Sequence, residues 1–78
     1  MPTLGEFIER ATRHYGFERH AISAPGLGEI KYLYRETPAE EVQIVDLRHS
    51  PENRRLTRAD LEDLCAASGI PVEDFIDD

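Results

Sequence analysis

From Leu4 to Tyr15 the apolar residues recur at helical spacing. Leu4, Phe7, Ile8, Ala11 and Tyr15 fall on one side of a 3.6-residue repeat. Thr3 and Glu6 form a T-x-x-E capping box, in which a hydroxyl and a carboxylate satisfy amides that the first turn leaves unpaired. Gly16 supplies a left-handed stop, and Phe17 can fold back over the last turn. The spacing predicts an amphipathic helix over Thr3–Tyr15 with one face to bury. Glu6, Glu9, Arg10 and Arg13 lie largely outside that face, where Glu6–Arg10 and Glu9–Arg13 have i,i+4 spacing. A helix of this kind needs a second apolar layer, and the residues that follow are patterned for strands.

"FERHAIS", from Phe17 to Ser23, is short and bounded by turn signals, and reads as a strand. "APGLG" from Ala24 to Gly28 reads as a turn or short loop. "EIKYLYRE" from Glu29 to Glu36 alternates Ile30, Tyr32 and Tyr34 against Lys31, Leu33 and Arg35, the signature of a second strand. "TPAEE" breaks it, and "VQIVDL" from Val42 to Leu47 is a third. Connections this short favour an antiparallel meander. After a polar loop turning at Ser50-Pro51, "LTRADLEDLCAASGI" reads as a second helix. Thr57 caps it, Asp60 sits near the positive end of its dipole, and Gly69 ends it. Leu61, Leu64 and Cys65 face inward, and "IPVEDFI" forms a final turn that pins Ile70, Val72, Phe75 and Ile76 to the body. The expected fold is a two-layer α+β domain of order α-β-β-β-α, with two helices on one face of a three-stranded antiparallel sheet. Residues 1–78 form one domain, and the other sheet face is left open to bind something.

Seventy-eight residues bury roughly 60% of their unfolded surface, which suits a flat binding face better than a deep enclosed pocket. Sixteen acids face nine bases, for a net charge of −7, and eight of the nine bases are arginine. After Arg58 come Asp60, Glu62, Asp63, Glu73, Asp74, Asp77 and Asp78 with no base among them. That field attracts a basic protein surface and repels nucleic acid; the plainer reading is a solvated face that keeps a small protein soluble. The single cysteine, Cys65, excludes an intrachain disulfide and reads as a small buried hydrophobe. No apolar run reaches membrane-spanning length and no signal-peptide pattern is present, so the expected setting is cytoplasmic.

Chemistry-bearing patterns are few. "PGLGE" has two glycines, but they precede a strand rather than a helix, and no G-K-[ST] follows. Gly26 and Gly28 therefore read as turn positions and not as a phosphate cradle. His14, His20 and His49 lack short ligand spacing, so no metal and no cofactor is expected. By residue type His49 is the best candidate for acid–base work. The paired carboxylates Glu40-Glu41, Glu62-Asp63, Glu73-Asp74 and Asp77-Asp78 are neighbours in sequence and do not face one another across a site. Tyr32 and Tyr34 share a strand face, with Lys31 and Arg35 beside them. Aromatics so placed either stack bases, line a protein interface or pack under the helices. Arg54, Arg55 and Arg58 form a basic cluster that either holds a phosphate or pairs with Asp60, Glu62 or a partner's acids.

The C-terminal run "LTRADLEDLCAASGIPVEDF", with "YGFE" at Tyr15–Glu18 and "VQIVDLRH" ending at His49, resembles the HicA family of small bacterial toxins. The resemblance covers nearly the whole chain. It implies a fold like the double-stranded-RNA-binding domain, and mRNA cleavage. That family carries a G-S-H motif at the start of its second strand, and its histidine is implicated in cleavage. Here the corresponding place falls on Lys31 or Tyr32, and no histidine lies between His20 and His49. No catalytic residue is carried over.

The leading expectation is a small acidic, non-catalytic protein-binding module. It would be an inhibitor or antagonist of a basic nucleic-acid-binding protein, of the type phages and mobile elements encode, or a nucleic-acid mimic. Its binding residues would be Tyr32, Tyr34, Lys31 and Arg35 together with Asp60, Glu62, Asp63, Glu73 and Asp74. The alternatives are a HicA-type RNA-cleaving or RNA-binding relative with a displaced site, and an accessory domain that forms a homodimer through its sheet edge. No membrane partner is expected.

Overall fold

In the computed structural model, which describes residues 1–48 and 50–76, the first helix, α1, spans Leu4–His14. Its capping box closes as the sequence predicts. The Glu6 amide donates to Thr3 Oγ1 at 3.2 Å, and Glu6 Oε1 accepts from the Thr3 amide at 3.1 Å. The next orphan donors are met from a distant segment. The Leu4 amide donates to the Arg54 carbonyl at 2.9 Å, and that of Gly5 to the Glu52 carbonyl at 2.7 Å. At the other end both Tyr15 and Phe17 donate to the Ala11 carbonyl, each at 3.2 Å, and Phe17 folds back into the core.

The sheet consists of β1 (Glu18–Ala24), β2 (Gly28–Glu36) and β3 (Val42–Arg48), antiparallel and in that spatial order. Between β1 and β2 the Leu27 amide donates to the Ala24 carbonyl at 3.0 Å, and Gly26 and Gly28 have φ of 80° and 74°. Among the described residues nothing lies within 4 Å of where a Cβ would stand at either glycine. Glycine is needed there for backbone conformation and not for space. The turn from β2 to β3 is closed by the Thr37 amide on the Glu41 carbonyl at 2.9 Å, and Glu40 takes φ 63°. Near the end of β3 the register shifts. Lys31 pairs with Arg48 and Tyr32 with Asp46, leaving Leu47 as the extra residue of a bulge.

The second helix, α2, spans Arg58–Ser68, and a 3₁₀ turn follows at Val72–Asp74. Thr57 and Asp60 make a second reciprocal cap, at 3.1 and 3.2 Å. The helices cover one sheet face. Phe7, Ile8 and Ala11 of α1 and Leu61 and Cys65 of α2 are buried with Leu33, Val45 and Leu47 of the sheet. Phe75, after the 3₁₀ turn, stacks on Phe7 with ring centroids 5.2 Å apart. Burial raises the Cys65 thiol pKa and keeps it protonated, so it packs as an apolar side chain. The layout is the expected α+β one. Strand ends differ from the sequence reading by a residue: β1 starts at Glu18 and runs to Ala24, and β2 starts at Gly28. No described helix is long and apolar enough to cross a membrane.

Candidate protein-binding face

Strand alternation and the observed register decide what the uncovered face displays. Leu33 and Val45 point to the helices, so their neighbours along each strand point away. From β1 come Glu18, His20 and Ile22, paired with Tyr34, Tyr32 and Ile30 of β2. On the other side of β2, Ile44 stands opposite Tyr34, Val42 opposite Glu36 and Asp46 opposite Tyr32. Three aliphatic side chains lie open here: Ile22 is 52% exposed, Val42 52% and Ile44 57%. Aliphatic residues on a half-solvated sheet are ordinary singly. Here they border an aromatic cluster, which makes one mixed patch.

That cluster has defined geometry. The His20 ring lies 5.4 Å from Tyr32, nearly parallel to it at 28°, and 5.5 Å from Tyr34 at 50°. His20 Nε2 is 3.2 Å from Glu18 Oε1. The Tyr34 hydroxyl donates to Glu36 Oε1 at 2.8 Å, and this bond chiefly raises the phenol pKa, with desolvation and the nearby Glu36 and Glu18 charges adding to it. Tyr34 therefore remains a neutral donor through the physiological range and fixes the Glu36 carboxylate in place. At the outward positions named above, Glu18, Glu36 and Asp46 are acidic, and none is lysine or arginine.

The structure separates the residues that the sequence grouped. Tyr32 and Tyr34 share the open face as expected, and do not pack under the helices. Lys31 and Arg35 alternate to the other side. Lys31 is exposed. Arg35 is part-buried and engaged through all three of its guanidinium nitrogens. Its Nη1 donates to the Tyr15 carbonyl at 2.8 Å, Nη2 to the Ser68 carbonyl at 3.2 Å, and Nε to Gln43 Oε1 at 2.8 Å. The guanidinium also lies over the Phe17 ring, 4.4 Å from its centroid. Tyr15 and Ser68 stand at the C-terminal ends of the two helices, so one cation meets the negative ends of both dipoles.

The acidic residues that the sequence grouped with them, Asp60, Glu62, Asp63, Glu73 and Asp74, lie in the helix layer, away from Tyr32 and Tyr34. Glu62, Asp63 and Glu73 are exposed. Asp60 caps α2 and pairs with Arg54 at 2.8 Å; the Thr57 amide and hydroxyl, then Arg54, hold its carboxyl below the ordinary value. Asp74 accepts the Tyr15 hydroxyl. The basic cluster is partly consumed too: Arg54 also reaches Ser50 at 3.1 Å, and Arg55 donates to the Met1 carbonyl at 2.6 Å. His14 is exposed at the end of α1. His49, Asp77 and Asp78 lie outside the described residues, and among those described no three His, Cys, Asp or Glu converge as metal ligands do.

Sequence reasoning missed Glu18, His20, Glu36, Ile22 and Ile44 as companions of the tyrosines. The signal was present in the strand alternation, but it becomes specific only once the register sets His20 against Tyr32 and Glu18 against Tyr34. Comparison with family models, curated proteins and solved structures gives no match, so the functional reading rests on this geometry.

Proposed function

We propose that the chain is a small acidic, non-catalytic protein-binding module that docks its open sheet face on a basic protein surface. Antagonism of a nucleic-acid-binding protein, in a cytoplasmic setting, is the form of this function that the charge suits. The observation that carries the reading is the composition of one face: exposed Ile22, Val42 and Ile44 beside Tyr32 and Tyr34, with carboxylates from Glu18 and Glu36 at its outward positions. The aliphatic and aromatic groups supply area to bury, and the carboxylates supply selectivity for cations. Tyrosine and its neighbours on a rigid sheet lose little freedom on binding. The exposed acids of the helix layer, Glu62, Asp63 and Glu73, lie elsewhere and contribute through the long-range field of a chain carrying −7.

Affinity capture at low salt, followed by a titration of the captured partner, tests this. A basic nucleic-acid-binding protein should be recovered, with affinity that falls steeply between low and physiological salt. The Ile22→Lys, Ile44→Lys double variant changes only exposed positions and should lose the partner. Equal binding by that variant contradicts the reading.

The element order favours a second reading. The resemblance to HicA toxins, which share the order α-β-β-β-α, would make the chain an RNA-cleaving relative with a displaced site. His20, Lys31, Tyr32 or His49 would then carry it. Cleavage of mRNA by the purified protein, abolished in His20→Ala or His49→Ala, supports that reading, and intact RNA after long incubation ends it.

A further inference from the structure

We infer that the His20–Tyr32–Tyr34 cluster is a platform for an arginine side chain of the partner, its guanidinium lying over the rings and bonded to Glu18 and Glu36. This rests on the reading that the open face docks a basic protein, and it names the group that the face recognises. Three observations converge on it.

First, the carboxylates flank one ring. Glu18 stands directly across from Tyr34 on the neighbouring strand, and Glu36 lies two residues along on the same face of β2. A cation above Tyr34 is therefore within reach of acceptors on two sides. Second, those acceptors have capacity left. Glu36 accepts one bond from the Tyr34 hydroxyl and Glu18 has one contact with His20 Nε2, and among the described residues neither is paired with a lysine or arginine. An ionised carboxylate offers about four acceptor sites. Third, the aromatic groups form an extended surface, with His20 in contact with both tyrosine rings.

A planar guanidinium matches this surface better than an ammonium does. It stacks on a ring while its N–H groups, which lie in its plane, fork to carboxylates at the edges. Its weaker hydration also lowers the cost of leaving water. A nucleic-acid base would stack equally well, but its phosphates would meet Glu18 and Glu36. A second copy docked face to face would set the same carboxylates against each other.

A titration of isotope-labelled protein with a four-arginine peptide and, separately, a four-lysine peptide tests the inference. The arginine peptide should shift the Tyr32, Tyr34 and His20 ring resonances saturably, and bind about two- to fivefold more tightly than the lysine peptide of equal charge. Tyr34→Leu, which keeps apolar bulk but removes the π face, and Glu36→Gln should each remove that preference. Four outcomes overturn the inference: equal affinity for the two peptides, shifts confined to Glu62, Asp63 and Glu73, ring shifts that follow protein concentration without peptide, or stronger ring shifts from a single-stranded oligonucleotide. If the peptides fail while the captured partner still requires Ile22 and Ile44, the docking reading stands and the arginine inference alone is lost.

Discussion

Arg35 and Glu36 are adjacent in sequence and do opposite things. Glu36 faces solvent on the open side, oriented by Tyr34. Arg35 ties Gln43 of β3 to the last carbonyls of both helices. Removing it leaves two helix ends and a glutamine without their donor in a part-buried place. Arg35→Ala should cost about 2–3 kcal/mol in denaturant unfolding, and Arg35→Lys should recover only part of it, because an ammonium cannot span the same acceptors. Binding to a basic partner should change little in either variant once the protein is folded. A pH prediction belongs to the capping carboxylates. Glu6 and Asp60 are held below their ordinary values, chiefly by the backbone amides of Thr3 and Thr57. Each therefore contributes stability that is present above the unfolded carboxyl pKa and is lost as pH falls through the lower folded value. Thermal unfolding followed from pH 7 into the acid range should show this loss, and Glu6→Gln with Asp60→Asn should flatten it.

The helices and turns are set by local chemistry, which explains why they could be read from the sequence. Both capping boxes lie within four consecutive residues, and the apolar repeat of α1 needs no knowledge of the sheet. The strands were also legible, since β2 alternates cleanly. Which of its two sides would be covered was not. Leu33 marks one side and the tyrosines the other, and only the partners Val45 and Leu61, distant in sequence, settle the choice. For the same reason Arg35 reads as a surface cation: the acceptors that bury it come from Tyr15, Gln43 and Ser68. Asp60 reads as a helix-start acid and a partner for the arginine cluster, and Thr57 and Arg54 engage it so, whereas Asp74 reads as a free charge though Tyr15 engages it. At the β2–β3 turn Glu40 occupies a left-handed conformation with φ 63°. An L-residue there costs about 1–2 kcal/mol, part of which glycine returns as chain entropy. Glu40→Gly should raise stability by about 0.5–1 kcal/mol, measured by chemical denaturation. A decrease would mean that the turn relaxes in solution.

At the scale of the whole molecule the two layers divide the work. The helix layer closes the core and displays Glu62, Asp63 and Glu73; the sheet displays Tyr32, Tyr34 and the exposed aliphatic residues. Charge and contact are therefore separable. Charge-neutralising changes on α2, such as Glu62→Gln with Asp63→Asn, should slow association and weaken its salt dependence, and leave the dissociation rate nearly unchanged. Stopped-flow or surface-binding kinetics distinguish the two rates. Methyl cross-saturation from an unlabelled partner to the labelled chain reads out which face docks. Transfer should reach Ile22, Val42 and Ile44 on the open sheet face. Transfer concentrated on Leu64 and Val72 in the helix layer, with those three methyls silent, would contradict docking through that face.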